Sequence, residues 1–175
     1  MTVNRRGFLA AGAVAAAGAA LVDNIFAAEG PKSEPQAALK LSSQLGRIPG
    51  RDFAEKFAIM EKWGFDAVEP HGNVVGKEKE FLDALKNTKL RTSVICWGSH
   101  NGDMVSGDAA RRAAGVEALR AALTSAGELG AVGVIYVPAF NKEQELDNRE
   151  IRKILIDTLP GIGEHAVKHN THVIM

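Results

Sequence analysis

Two short stretches hold the side chains best suited to chemistry. Glu69-Pro70-His71 sets a carboxylate and an imidazole two positions apart, directly after the run Phe65-Asp66-Ala67-Val68. Trp97 and His100 follow another run, Val94-Ile95-Cys96. Gln44 and Asn141 stand after two further runs. A carboxylate accepts from a hydroxyl, an imidazole donates or accepts, and an indole lies against an apolar ligand face. Such a set suits a small hydroxylated ligand. Glu69 would accept from a hydroxyl or from His71, His71 and His100 would bond hydroxyls, and Trp97 would stack. Each also has a plainer use. Glu69 could instead hold a neighbouring strand-end backbone or an arginine, and Asn141 reads as a loop residue. His165, His169 and His172 resemble a metal cluster at first sight. However, His165 and His169 are one turn apart on an outer helix, while His172 opens the next strand, so all three read as surface histidines. Cys96 reads as a buried strand residue, and the charged run Lys142–Arg152 as solvated loop and helix face.

Composition narrows the classes. Of 175 residues, 46% are hydrophobic and 24% charged, which describes a globular chain rather than a disordered one. Lys and Arg number 21, as do Asp and Glu, so no basic excess points to nucleic acid. A single cysteine, Cys96, excludes an internal disulfide framework and a cysteine-ligated iron–sulfur cluster.

The N-terminus is separately informative. Arg5-Arg6-Gly7-Phe8-Leu9 precedes an alanine-rich apolar run to Leu21, with small residues at Ala27 and Ala28. That layout is a secretory signal, and the paired arginines before Phe-Leu resemble a twin-arginine (Tat) signal, the route for folded cargo. The run is too short for a spanning helix of about 20 residues. Residues 1–28 are therefore expected to be a signal peptide read by the Tat machinery, residues 29–38 a linker, and the mature chain periplasmic or otherwise exported. The cleavage point is less regular, since a cut after Ala28 leaves Phe26 where a small residue is wanted.

The elements that must position the candidate residues alternate. Strands are expected at about 39–44, 65–69, 91–97, 131–137 and 171–175. Helices are expected at 51–64, 77–88, 108–128 and 148–169, the last interrupted by Pro160 and Gly161. Gly64 and Gly130 close two helices, and Ser106 is a plausible N-cap for the third. The third helix turns Val116, Leu119, Ala122, Leu123 and Ala126 inward. This is (βα)4β, an α/β chain whose apolar strands point to a parallel sheet under helices. Either a doubly wound open sheet or a TIM barrel would satisfy it. No Gly-x-Gly-x-x-Gly follows a strand, which removes the main support for the nucleotide-binding open sheet.

Trp63-Gly64-Phe65-Asp66-Ala67-Val68-Glu69-Pro70-His71-Gly72 resembles the second-strand motif of the sugar phosphate isomerase/epimerase superfamily. These are xylose-isomerase-like TIM barrels, including hydroxypyruvate isomerase-like and ketose 3-epimerase-like proteins. Ala126–Val132 and His172-Val173-Ile174-Met175 are similar to later segments of that family. The resemblance covers Leu39 to Met175 and implies the first half of a (β/α)8 barrel, which needs about 250 residues in full. It further implies a metal-dependent sugar or sugar-phosphate isomerase or epimerase that moves a proton next to a carbonyl. The divalent metal, Mn, Mg or similar, would be held by ligands beyond Met175. Alternatives are a non-catalytic sugar-binding relative and, against the neutral charge and the export signal, an endonuclease of the same superfamily. Its substrate-binding candidates here are Glu69, His71, Trp97 and His100. Alone, the chain is expected to be inactive and without a tight divalent-metal site. It is also expected to be marginal or to form a homo-oligomer, because Val94, Ile95, Val134 and Ile135 would face water across the open barrel.

Overall fold

The computed structural model describes residues 39–97, 103–138 and 145–175, which lie in one unit, Leu39–Met175. Local signals build the helices. In α1 (Phe53–Lys62), Asp52 caps the N-terminus by accepting from the Glu55 amide, and Phe57 and Met60 point inward, fully buried. Gly64 takes a φ of 81°, a left-handed conformation that turns the chain out of the helix; Gly130, at 65°, does the same after the helix that ends at Glu128. α2 (Glu78–Leu85) buries Phe81, whose ring meets those of Phe53 and Phe57 edge-on at centroid distances of 5.3 and 5.1 Å. This aromatic cluster holds α1 against α2.

α3 (Ala109–Glu128) buries Leu119, Ala122, Leu123 and Ala126 completely, as the sequence pattern predicts. Its N-cap is Asp108, which accepts from the Ala110 and Arg111 amides, and not Ser106. Ser106 is used otherwise, accepting from the Asp108 amide and donating to Glu145 at 2.7 Å. α4 (Asn148–Lys168) starts from a capping box of Asp147 and Glu150 and runs unbroken through Pro160. The expected interruption is absent because Pro160 and Ile156, the residue one turn back, are both exposed. The carbonyl left without its N–H partner lies on the water side, where the loss is tolerated.

The strands are shorter than expected but fall within the expected ranges. They are β1 (Ser42–Gln44), β2 (Ala67–Glu69), β3 (Arg91–Thr92), β4 (Ile95–Cys96), β5 (Gly133–Ile135) and β6 (His172–Ile174). All pairings are parallel: β1 with β2, β2 with β3, β4 with β5, and β5 with β6. β3 and β4 are one strand interrupted at Ser93-Val94. A His71↔Cys96 bridge and the bond from the Cys96 amide to the Pro70 carbonyl, 2.9 Å, join the two sheets. Val68 pairs with Thr92, yet three residues later His71 pairs with Cys96, four residues later. The third strand therefore holds one extra residue, a bulge, which bends and twists a sheet.

Strand order thus follows chain order without reversal, as in a barrel and unlike a doubly wound sheet. Curvature shows in two contacts that skip a strand. Ser42 Oγ lies 2.9 Å from Ser93 Oγ, and Gln44 Nε2 lies 3.8 Å from Cys96 Sγ, although β2 runs between them. Strands two apart in a flat sheet are separated by about 9.5 Å. Side chains this short meet only if the sheet folds toward them, so both pairs line a concave face, layered from alternate strands as in a barrel interior. The opposite face packs on the helices through Val68, Ile95 and Val134, all fully buried. This corrects the expected exposure of Ile95 and Val134, which face the helices; Val94 and Ile135 are half-buried.

Candidate functional site

The strand ends bring Gln44, Glu69 and His71 together. Gln44 and Glu69 are register partners at the last positions of β1 and β2, so they point to the same, concave face. Gln44 donates to the Cys96 sulfur there, which places half-buried Cys96 on this face as well. Glu69 is half-buried, and its carboxylate has no hydrogen bond or ion pair with any described residue. Neither the arginine, the strand-end backbone nor the His71 bond that the sequence left open is present. A carboxylate in that setting retains its full accepting capacity for a ligand.

His71 stands two residues further on, half-buried, with Nε2 3.5 Å from the position a Cβ on Gly46 would take. The absent side chain at Gly46 leaves room for the imidazole beside the first strand-end loop. That loop is itself fixed by Lys56, whose Nζ donates to the carbonyls of Leu45 and Ile48 at 3.2 and 3.0 Å. His71 also walls two clefts. One, about 240 Å³, lies over the N-termini of α1 and α2 beside Arg51, Lys56 and Lys77. The other, about 670 Å³, is shared with Asn73, Trp97 and Ala118. Neither encloses Gln44 or Glu69, because the concave face of a half-circle of strands is an open trough.

Trp97 does not reach the trough. It is 3% exposed, tilted against Tyr136 at a centroid distance of 5.8 Å, and belongs to the hydrophobic core. Alternation explains this, since Cys96 faces inward and the next residue faces the helices. Trp97 also lines the cleft it shares with His71. His100 and Asn141 lie outside the described residues.

Sequence reasoning did not select two features. Tyr136 follows β5 at the same level as the other strand-end residues, is 3% exposed, and its hydroxyl has no hydrogen-bond partner among the described residues. Burial, with a smaller contribution from Asp103, pushes the phenol up to about 12. The strand-end rule that picked Trp97 would have picked it too. The second feature is a polar staple between the loops before α3 and α4. Glu145 accepts from Ser106 Oγ, the Gly107 amide at 3.1 Å and Arg111 at 2.5 Å, and Arg111 also binds Asp103 at 2.9 Å. These bonds, the Ser106 hydroxyl first, hold the Glu145 carboxyl below its ordinary range. Glu145 is thus a bridge between strand-end loops rather than part of a merely solvated run. No local signal could reveal a contact spanning more than thirty residues.

Among the described residues, no three or more His, Cys, Asp and Glu side chains converge on a point. Gln44 and Glu69 instead present an amide and a carboxylate on the concave face, and His71 an imidazole at the neighbouring strand-end loop, groups suited to hydroxyl and carbonyl oxygens.

Comparison with known proteins places this geometry. The solved structures it resembles include 3-keto-D-glucoside 4-epimerase from E. coli, at 23% identity and TM-score 0.69, covering 78% of this chain and 55% of that one. D-allulose 3-epimerase from Methylomonas sp., solved with D-allulose, matches at 20% identity and TM-score 0.64, covering 77% and 50%. IolI, solved with a zinc atom, matches at 15% identity and TM-score 0.62, covering 77% and 50%. The chain thus spans about half the length of these structures, and at these identities they establish the fold alone. No curated protein matches the chain. The model of the xylose isomerase-like TIM barrel family matches residues 57–175, and with the uninterrupted parallel strand order this makes the chain a member of that family.

Proposed function

We propose that this chain supplies the substrate-gripping half of an exported sugar isomerase or epimerase. The carrying observation is Glu69, a half-buried carboxylate at a strand end on the concave face with no partner among the described residues. Moving a proton next to a carbonyl needs a base, support for the enediolate oxygens, and groups that grip hydroxyls. Gln44 and Glu69 would grip hydroxyls, and His71 would donate to an oxygen or hold a proton at Nε2. The epimerases among the structural relatives support this substrate class.

The divalent metal that the family implies, and that IolI carries as zinc, does not fit the described residues, which bring no three ligands together. Export by the twin-arginine route rests on Arg5-Arg6 before Phe8-Leu9.

Titrating the chain with D-allulose while following the His71 ring protons by NMR tests the binding claim. A saturable shift, weakened in Glu69→Gln, is expected; no shift up to the solubility of the sugar overturns it. Loss of the sugar's C3 proton to heavy water would then separate an epimerase from a non-catalytic sugar-binding protein. For export, replacing Arg5 and Arg6 by lysine should retain a fused reporter in the cytoplasm. Unchanged export of that variant would reject the twin-arginine route.

A further inference from the structure

The outer helical layer, away from the trough, holds a second constellation. His165 and His169 lie one turn apart at the C-terminal end of α4, facing α3, with ring centroids 4.6 Å apart. Both Nε2 atoms point at one oxygen of α3, Thr124 Oγ1, at 3.0 and 3.4 Å. His165 Nε2 also lies 3.1 Å from the Arg120 carbonyl. A carbonyl only accepts, so His165 carries its proton on Nε2. The Thr124 hydroxyl, with one hydrogen, then donates to His169, whose Nε2 is bare. The nearby Arg120 guanidinium is turned to Glu117 at 2.9 Å, which offsets its charge. All three polar side chains are half-buried, within reach of solvent.

Two imidazoles at i and i+4 whose like nitrogens converge on one point form a bidentate chelate. A zinc-type ion takes imidazole nitrogen at about 2.0–2.1 Å, so binding requires both rings to turn from Thr124 toward a shared ion. We propose that His165 and His169 bind a borderline transition-metal ion such as Zn²⁺, with water completing the coordination. On binding, the His165 proton leaves Nε2 to water and Nδ1 takes one up, so the ring stays neutral and presents a lone pair. Imidazole selects such ions over Mg²⁺ or Ca²⁺, which want oxygen. The residue after His165 is Ala166, where a zinc-protease helix carries its glutamate base, so the site binds a metal without hydrolytic machinery. This goes beyond the surface role that spacing alone suggested for these histidines. It is also independent of the trough, being built on helices rather than strand ends.

The test is calorimetric titration of the untagged 175-residue chain with ZnCl₂ and MgCl₂, with the ring nitrogens followed by ¹H–¹⁵N NMR. One Zn²⁺ per chain is expected, moving the Nε2 signals of His165 and His169 and leaving those of His71 and His172 in place. Mg²⁺ should give no heat. His165→Gln and His169→Gln should each weaken Zn²⁺ at least about tenfold. Thr124→Val, which removes the competing hydroxyl and leaves both rings, should retain binding. No Zn²⁺ binding, or binding as tight in both glutamine variants as in the parent chain, overturns the proposal and leaves the pair as a hydrogen-bonded clamp between helices.

Discussion

The same substitution should have opposite signs at two glycines of the helical layer. Alanine is favoured over glycine in a helix by about 0.8–1.0 kcal/mol. At Gly163, within α4, nothing lies within 4 Å of where a Cβ would sit, so Gly163→Ala should realise that gain. At Gly127, in the last turn of α3, a Cβ would overlap the His169 carbonyl oxygen and lie 3.2 Å from both the carbonyl carbon and the Cβ of that residue. The obstacle is backbone at the end of α4, held by a 3.0 Å bond from the His169 amide to the Ala166 carbonyl, so it cannot turn aside as a side chain would. Overpacking of this kind costs about 1–3 kcal/mol, and overlap with backbone belongs in the upper half of that range. After the propensity gain, Gly127→Ala should lose about 1–2 kcal/mol. Thermal unfolding followed by circular dichroism reads the difference. At about 2–4 °C per kcal/mol for a chain of this size, Gly127→Ala should melt about 2–8 °C below the parent and Gly163→Ala about 2–4 °C above it. Shifts of the same sign, or indistinguishable midpoints, would refute the claim that close approach of the end of α4, and not helix propensity, dictates glycine at 127.

Tyr136→Phe removes a buried hydroxyl that has no partner among the described residues. Its urea midpoint should therefore hold or rise, by up to about 1 kcal/mol, and a clear loss would reveal a bond to that oxygen. The staple at Glu145 should be pH-sensitive. Its folded carboxyl titrates below its ordinary value, chiefly through Ser106, so its contribution is present above the ordinary glutamate range and is lost as pH falls through the lowered value. The Gly107 amide shift should follow that titration with a midpoint below that of a free glutamate and should become flat in Glu145→Gln. A midpoint at or above the free value would contradict the bonding described.

Much of the fold is local and therefore legible in the chain. Apolar residues at helical spacing, such as Phe53, Phe57 and Met60, and stop signals such as Gly64 and Gly130 act over about four residues, so they mark elements without knowledge of their neighbours. The βα alternation, the parallel sheet and the strand-end positions of Glu69 and His71 all follow from such signals. Where local signals compete, the reading slips. Ser106 is the expected N-cap, yet its hydroxyl goes to Glu145, far along the chain, and Asp108 caps α3 instead. Pro160 is a helix breaker in isolation, yet burial of the opposite side of α4 carried the helix through it.

Facing is the larger divide. Composition alone cannot tell the two apolar faces of a barrel strand apart. Only the curved sheet placed Ile95, Trp97 and Tyr136 against helices and left Gln44, Glu69 and Cys96 on the concave side. The single extra residue near Ser93 shifts the register that decides this, and nothing in Thr92-Ser93-Val94-Ile95 announces it. The paired histidines show the same limit. Their one-turn spacing is written in the sequence, but Thr124 comes to stand between their nitrogens only when α3 packs on α4. Signals that act along a few residues specify elements and their ends. Contacts between residues dozens of positions apart depend on the path of the chain, which packing determines.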